Sequence, residues 1–390
     1  MKGQAEFDAI VLGAGSVGNP AAYFLAREGL RVLVLDELPS AGQGQNKAAI
    51  GGVRATHSDP AKIKLCQLSL EIFSGWKEST GVDIGWKQGG YCFPAWDEKV
   101  EGTLRSLLPV QKRFRLNIDW HDAGEMRRIV PGIEPDGLRG GTYSPEDGQV
   151  NPLRAAQAFA NEARRLGATY RFREPARTLL LEEGAAVGVR TDQGEYRAPA
   201  VVVAAGVRAS ELCRQASLDV PILPESHEAG ISAAVAQFLG PLVVDLRPGP
   251  EGKTTNFYFG QDAEGQVIFC YTPRPAIPGE NRTSTYEFMP IAAARLVQII
   301  PRLKNLTIRR VWRGLYPMTP DGSPLVGRAP HVVGLYLGVG MCGQGFMLGP
   351  GVGANLASLV AKGRPLIDPE VFDLLSPGRD LYGGKHETLR

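Results

Sequence analysis

The sequence predicts a mixed α/β fold, α+β overall, that combines a parallel sheet with an antiparallel one. Residues 8–36 read as strand, glycine-rich turn, helix and strand. The run Ala200 to Ala204 is apolar throughout, as in a strand buried on both faces of a parallel sheet. From about residue 221 to residue 289 the pattern alternates and is rich in turn residues, which is typical of antiparallel strands. The chain also has 48 glycines in 390 residues, about 12% against a usual ~7%, and this excess needs a positional explanation.

Composition excludes several classes of protein. A net charge of +2 argues against a nucleic-acid binder. The apolar run at residues 200–207 is far shorter than the ~20 residues of a membrane span. The five cysteines form no Cys-x-x-Cys pair, so we expect buried reduced thiols and neither disulfides nor a metal site. Residues 1–7 do not resemble a signal peptide, and we therefore expect a cytoplasmic protein.

The N-terminal motif predicts a dinucleotide site. Gly13 permits a tight strand-to-helix turn, Gly15 lets a pyrophosphate approach the backbone, and Gly18 lets the helix pack closely on the strand. The helix that follows extends to about Glu28 and presents its N-terminus to the phosphates. Asp36 ends the second strand, where a carboxylate accepts ribose hydroxyls and favours FAD or NAD over NADP.

A second concentration of glycine lies near the C-terminus. Eight glycines fall between Gly334 and Gly353, at a predicted strand-to-helix turn. The N-terminus of this second helix would stabilise partial negative charge on a ligand. The alternative is that these glycines serve only a tight connection and close helix packing.

Five further segments follow the N-terminal motif in a fixed order: Gly51-Gly-Val-Arg54, Asp147-Gly-Gln-Val-Asn-Pro152, Val203-Ala-Ala-Gly206, Trp312-Arg-Gly-Leu-Tyr-Pro-Met-Thr-Pro-Asp-Gly322 and Gly343-Gln-Gly-Phe-Met-Leu-Gly-Pro350. Together they resemble the D-amino acid oxidase superfamily of FAD enzymes. Within it the chain is most similar to the sarcosine oxidase and glycine oxidase branch and to the beta subunits of dye-linked L-proline dehydrogenases.

The resemblance implies two interleaved domains. Residues 1–90, 150–215 and 305–375 would form a discontinuous Rossmann-type FAD-binding domain. Residues 91–149 and 216–304 would form a substrate domain whose antiparallel sheet covers the flavin, and residues 376–390 would be a solvated tail. It also implies a homo-oligomer or a hetero-oligomer with other dehydrogenase subunits.

The resemblance further implies noncovalent FAD, because Gly314 stands where monomeric sarcosine oxidases attach the flavin through a cysteine. The residues it implies for cofactor binding are Gly13, Gly15, Ser16, Val17, Gly18, Asp36, Glu37, Ala49, Gly51, Gly52, Ala176, Ala205, Gly206, Gly314, Gly340, Gly343, Gln344, Gly345, Phe346 and Met347.

Four residues are candidates for catalysis. Arg54 matches a carboxylate-binding arginine of sarcosine oxidases, and a guanidinium suits a carboxylate. Tyr316 stands where glycine and D-amino acid oxidases keep an arginine. His57 would lie over the flavin or assist amine deprotonation, or instead cap the next helix. Tyr258 would line the substrate face, or instead pack in the sheet.

The remaining histidines, His121, His227, His331 and His386, have no ligand spacing, and we expect structural roles for them.

Two lysines of sarcosine oxidases are missing from this chain. A substrate-contacting lysine falls at Met347. The lysine that assists oxygen reduction falls near Val267, and its absence favours a dehydrogenase over an oxidase. The expected activity is oxidation of a small amino acid or N-alkyl amino acid, of the proline, sarcosine or glycine type, at Cα to an imine, with an acceptor other than oxygen. The alternatives are a 2-hydroxy acid or polyol dehydrogenase of the same fold, or a flavin subunit that is inactive without a partner.

Overall fold

The computed structural model describes residues 6–383, 388 and 389. The strands in this part of the chain are β1 Ala9–Leu12, β2 Val32–Asp36, β3 Gly52–Val53, β4 Tyr91–Ala95, β5 Asp119–Asp122, β6 Gly140–Ser144, β7 Gly148–Gln149, β8 Thr169–Phe172, β9 Thr178–Glu182, β10 Ala185–Arg190, β11 Glu195–Arg197, β12 Val201–Val203, β13 Leu223–Ala234, β14 Leu242–Asp245, β15 Thr254–Gln261, β16 Gln266–Pro273, β17 Ile308–Met318, β18 Leu325–Arg328 and β19 Leu335–Val339. The α-helices are α1 Gly18–Arg27, α2 Pro60–Ser74, α3 Trp76–Thr80, α4 Glu98–Arg113, α5 Ala123–Ile129, α6 Pro152–Arg165, α7 Ala209–Gln215, α8 Phe288–Ile299, α9 Gly345–Lys362 and α10 Pro369–Asp373.

A six-stranded sheet forms the first layer, in the order β18-β19-β12-β1-β2-β8. Its pairs are parallel except for β18, which runs antiparallel to β19. The apolar strand predicted at residues 200–204 is β12, whose three valines are fully buried between β1 and β19. Parallel strands place their carboxyl ends along one edge of a sheet, and ligands bind outside such an edge.

Helices cover one face of this sheet. Helices α1, α2, α6 and α9 pack together in an apolar core that also contains Trp76 and Phe159, whose ring centroids are 4.2 Å apart. The sequence predicts a cap at Asn151, and this is confirmed, because its side chain accepts hydrogen bonds from the N–H groups of Leu153 and Arg154.

An eight-stranded sheet forms the second layer, in the order β17-β13-β16-β15-β14-β4-β6-β5. All its pairs are antiparallel except β14 with β4. Its outer face packs on α8 through Phe257, Phe269 and Phe288, and the rings of the last two are 6.1 Å apart and nearly parallel. The antiparallel sheet expected from the alternating pattern is therefore present.

One strand does not follow the predicted division of the chain. β17 lies in the segment assigned from sequence to the FAD-binding domain, but it pairs with β13 at one end of the eight-stranded sheet. Alternation along β17 is sufficient to predict a strand, but which sheet a strand joins depends on pairing partners that are distant in sequence. The domain boundaries themselves stay a prediction.

The described part of residues 376–390 is largely exposed or half-buried, but it is not solvated throughout. The guanidinium of Arg379 forms an ion pair of 2.8 Å with the carboxylate of Asp321. Leu389 is only 2% exposed and lies in an apolar cluster with residues of β4, α4 and β14. His386 lies outside the described residues.

Two other features of the described residues bear on function class. None of their helices is both long enough and apolar enough to span a membrane. All five cysteines are buried, which confirms the expectation of buried thiols.

Candidate functional site

A cavity of about 610 Å³ is lined by residues of both sheets. This volume lies within the ~300–1,000 Å³ range of small-molecule and cofactor sites. Every residue for which the sequence predicts a cofactor contact lines the cavity, with the exception of Gly18. Among the candidate catalytic residues, Arg54, Tyr258 and Tyr316 line it and His57 does not.

The glycine-rich turn between β1 and α1 forms one end of the cavity. A Cβ atom added to Gly15 would meet no atom within 4 Å, so this backbone faces open space in the cavity wall. A Cβ atom on Gly18 would overlap the carbonyl oxygen of Gly13 and contact the side chain of Val11. Gly18 therefore serves helix packing, while Gly15 leaves room for a ligand.

Asp36 lies at the carboxyl end of β2 beside this turn. Its two carboxylate oxygens accept hydrogen bonds of 2.6 and 2.7 Å from the N–H groups of Ala14 and Leu38. Burial raises its pKa above the ordinary value, although both hydrogen bonds act in the opposite direction. These contacts fix the carboxylate at the cavity, where its remaining lone pairs can accept ribose hydroxyls.

Another part of the cavity wall is formed by the turn that leads into α9. Gly340 and Gly343 both have a positive φ there, of 67° and 77°, which glycine adopts without strain. The free N–H groups of the first turn of α9 begin at Gly345, on the cavity wall. Next to them the Oε1 atom of Gln344 is buried and makes no hydrogen bond to a described residue.

These features fit a dinucleotide in which a pyrophosphate joins an adenosine to an electron-accepting ring. The open Gly15 backbone and the start of α1 suit a pyrophosphate, and Asp36 suits an adenosine ribose. The start of α9 and the unpartnered Gln344 suit the polar edge of a flavin ring, where negative charge develops on reduction. The cavity therefore fits FAD.

Arg54 is almost completely buried, at 6% exposure, on the wall of the cavity. Its Nη1 donates to the carbonyl oxygen of Thr56 and lies 3.4 Å from Nδ1 of His57. Its Nη2 donates to the carbonyl oxygen of Leu389 over 2.6 Å. Its guanidinium carbon lies 5.6 Å from the centroid of the Phe93 ring.

The partners of Arg54 are uncharged groups, and its Nε–H donates to no described residue. A guanidinium held in this way is oriented and retains donors for a carboxylate.

Asp147 carries a buried carboxyl group that is close enough to Arg54 to be affected by its positive charge. It is 1% exposed, and its Oδ1 accepts a hydrogen bond of 3.0 Å from the N–H of Ala55. Burial raises its pKa to about 7, against the opposing effects of that hydrogen bond and of the positive charge of Arg54. The segment that carries Arg54 is therefore tied to the Asp147 loop by a group that titrates near neutral pH.

Tyr258 and Tyr316 meet across the cavity wall with their hydroxyl oxygens 2.8 Å apart. Burial raises the pKa of both phenols, so both remain protonated at neutral pH. Of the two alternatives for Tyr258, the structure supports a place on the cavity wall. The pair supplies hydroxyl groups without charge.

His57 lies outside the cavity wall and is fully buried. Because a guanidinium only donates, Nδ1 of His57 accepts from Arg54, and the ring proton then lies on Nε2, 3.5 Å from the sulfur of Cys66. The alternative that His57 caps the next helix is wrong, because the side chain of Asp59 caps α2. The geometry therefore supports neither role that the sequence predicts for His57. Its ring instead helps to orient the guanidinium of Arg54.

The sequence predicts only a structural role for His227 and does not indicate a place at the cavity. His227 lies on β13 directly opposite Gly314 on β17, and it lines the cavity. Both ring nitrogens are buried and make no hydrogen bond to a described residue. A single histidine in an alternating strand does not indicate in the sequence that its side chain will line a cavity. His121 and His331 do not line the cavity.

Val267 is fully buried in the outer core of the eight-stranded sheet. Because side chains alternate along a strand, the face of β16 that is turned toward the cavity carries Cys270 and Thr272 instead. Among the described residues, no lysine lines the cavity, and its cationic side chains are Arg54, Arg208 and Arg282.

Comparison with known proteins agrees with this geometry. The curated relatives include a 4-methylaminobutanoate oxidase (formaldehyde-forming) of Paenarthrobacter nicotinovorans, 26% identical over 94% of this chain and 45% of the relative. The chain thus spans about half the length of that relative. A glycine oxidase of Geobacillus kaustophilus is 26% identical over 94% of this chain and 96% of its own length. The crystal structure of L-proline dehydrogenase from P. horikoshii matches with a TM-score of 0.88 and 29% identity, covering 96% of this chain and 97% of that one.

A family model described as FAD dependent oxidoreductase (DAO) matches residues 8–359, which include both sheets and the whole lining of the cavity. This match extends over most of the chain, and the cavity that it includes fits FAD. The chain belongs to the DAO family of FAD-dependent oxidoreductases.

Proposed function

We propose that this protein oxidises a small amino acid or N-alkyl amino acid at Cα to an imine, and that Arg54 binds the substrate carboxylate. The observation that carries the proposal is the buried guanidinium of Arg54 on the cavity wall, oriented by neutral acceptors and with donors to spare. A charge-assisted, bidentate contact of this kind orients a small carboxylate strongly.

Bound FAD supplies the hydride acceptor for this reaction. The protein's own residues then have three tasks. Arg54 holds the carboxylate, and the hydroxyl groups of Tyr258 and Tyr316 offer neutral hydrogen bonds beside it. The apolar side chains of Tyr91, Leu242 and Val244 on the same wall exclude water from the substrate.

The names of the relatives support this substrate class. Each of 4-methylaminobutanoate, glycine and L-proline contains one carboxylate and one amine, although the number of carbons between the two groups differs. A single carboxylate-binding arginine suits all three. The class of small amino carboxylates is therefore proposed for this chain, with proline, sarcosine and glycine as the first candidates.

The proposed electron acceptor is a molecule other than oxygen. A cation near the flavin ring stabilises superoxide character when the first electron reaches oxygen. The described residues of the cavity wall include no lysine. By the family resemblance, one lysine of sarcosine oxidases falls at Met347 and the lysine that assists oxygen reduction falls near Val267.

An anaerobic panel of amino acids, N-methyl amino acids and 2-hydroxy acids tests the proposal in the holoenzyme. We expect at least one amino carboxylate to bleach the flavin absorption and the reduced flavin to reoxidise slowly in air but rapidly with an artificial dye. Bleaching by 2-hydroxy acids alone would overturn the amine assignment. Rapid reoxidation in air would overturn the proposed acceptor class.

Arg54→Ala tests the carboxylate contact within the same panel. Loss of one charge-assisted contact costs about 1.5–3 kcal/mol, so the substrate concentration for half-maximal bleaching should rise by about tenfold or more. FAD affinity should change little. Arg309→Ala, at an exposed arginine that does not line the cavity, is the control and should leave the panel unchanged. Equal losses of FAD and substrate binding in Arg54→Ala would show that Arg54 is structural.

A further inference from the structure

The C-terminal end of the described chain lies against the proposed carboxylate-binding residue. The N–H of Thr388 donates to the hydroxyl oxygen of Ser58 over 3.0 Å, and the carbonyl oxygen of Leu389 accepts from Nη2 of Arg54 over 2.6 Å. In each of these two hydrogen bonds, the donor residue and the acceptor residue are more than 300 positions apart in sequence. Two hydrogen bonds therefore connect this end of the chain to the segment around Arg54.

The side chain of Leu389 anchors this contact. Leu389 is 2% exposed and belongs to an apolar cluster that includes Tyr91, Leu242 and Val244, which also line the cavity. Burial of a leucine side chain contributes about 1.5–3 kcal/mol, which offsets the roughly 1–2 kcal/mol of backbone entropy lost when that residue is ordered. The carbonyl of Leu389 is thus held at the guanidinium by its own side chain.

The chemistry of the contact matters for ligand binding. A main-chain carbonyl is a neutral acceptor, so it orients Nη2 without cancelling the positive charge of Arg54. A carboxylate in the same place would neutralise the guanidinium and compete with the substrate. The contacts to Thr56 and Leu389 instead use Nη1 and one hydrogen of Nη2, and they leave Nε–H and the other Nη2 hydrogen for a ligand.

We propose that Leu389 is a positioning residue for substrate binding: its buried side chain holds its own main-chain carbonyl, which orients Arg54 toward a single carboxylate in the cavity. This inference rests on the proposed function of Arg54. It goes beyond that function by assigning a part in substrate binding to a residue that does not itself line the cavity.

Acetate is a suitable probe because a carboxylate is its only polar group. Its binding to the holoenzyme is measured from the change in flavin absorption. We compare the full chain with Leu389→Ala, with the conservative Leu389→Met, and with a chain that ends at Gly383. Tyr382→Ala is the matched control, since Tyr382 lies in the same C-terminal segment but is 80% exposed.

The chain ending at Gly383 should bind acetate at least about tenfold more weakly, as expected when a charged group loses an orienting hydrogen bond. Leu389→Ala should show a smaller loss of the same kind, and Leu389→Met should restore binding. Tyr382→Ala should behave as the full chain. FAD content and the unfolding temperature report whether the variants fold. Unchanged or tighter acetate binding in a folded, FAD-loaded truncated chain would overturn the proposal.

A double-mutant cycle separates positioning from general stability. In an Arg54→Ala background, truncation at Gly383 should cause no further loss of acetate binding, because both changes remove the same interaction. Additive losses would overturn the positioning role. If Arg54→Ala alone leaves acetate binding unchanged, the proposed function of Arg54 fails and the inference fails with it. If Arg54→Ala weakens binding and truncation does not, only the inference fails.

Discussion

His227 and Tyr316 stack face to face on neighbouring strands of the eight-stranded sheet, with ring centroids 3.7 Å apart and ring planes 15° from parallel. Both rings line the cavity, yet neither nitrogen of the imidazole has a hydrogen-bond partner among the described residues. The nearest described carboxylate oxygen, on Glu225, is 3.9 Å from Nε2. Burial is the largest cause that lowers the pKa of His227 below its ordinary value.

His227→Phe should therefore change the pH dependence of stability. Because the folded-state pKa is lowered, the unfolded chain binds the proton more readily, and the wild type loses stability as the pH falls through and below about 6.5. The phenylalanine variant keeps the stacked ring and lacks this loss. Urea unfolding between pH 5 and 8 measures the difference, with the exposed His331→Asn as control. Parallel pH curves for wild type and His227→Phe would contradict the buried neutral imidazole.

Asp147→Asn should have the opposite sign of pH dependence. The pKa of Asp147 rises from 3.8 to about 7 on folding, so the folded state binds the proton more tightly. Wild-type stability relative to the variant should then fall as the pH rises from about 4 to 7. The total is a few kcal/mol, since one pKa unit corresponds to ~1.4 kcal/mol. Denaturant unfolding at several pH values tests this, with the exposed Asp136→Asn as control.

Gly15→Ala and Gly18→Ala should separate cofactor binding from folding. A Cβ atom on Gly15 meets nothing within 4 Å, so the FAD-free protein should keep its stability while its affinity for FAD falls. A Cβ atom on Gly18 overlaps the Gly13 carbonyl, so the FAD-free protein should lose about 1–3 kcal/mol. Thermal unfolding of FAD-free protein and flavin fluorescence titration give the two quantities. Normal FAD affinity in Gly15→Ala would contradict the pyrophosphate assignment.

Tyr258→Phe and Tyr316→Phe should show coupled effects. The two hydroxyl groups are 2.8 Å apart and buried, so removing either leaves the other without that partner. We expect each single variant to lose about 0.5–1.5 kcal/mol of stability and the double variant to lose less than the sum. The corresponding double-mutant cycle on unfolding free energy measures the coupling. Strict additivity would show that the hydrogen bond contributes nothing.

Local sequence patterns were sufficient to predict much of the fold and most of the cofactor site. The turn at Gly13 to Gly18, the buried strand β12 and the cap at Asn151 each depend on residues close together in the chain, and each is present. The two glycine clusters on the cavity wall could also be predicted from residues close together in the chain. Backbone that approaches a cofactor requires small residues at positions that can be counted directly along the sequence.

Contacts between residues that are distant in sequence decided the remaining features of the fold and of the site. The sequence by itself determined a dinucleotide site, its family resemblance and the choice of Arg54 as a candidate. Only the tertiary structure placed β17 in the second sheet, His227 opposite Gly314, and the carbonyl of Leu389 on Arg54. Sheet register and the docking of a chain end depend on burial against residues hundreds of positions away, and no local pattern records which partner is reached.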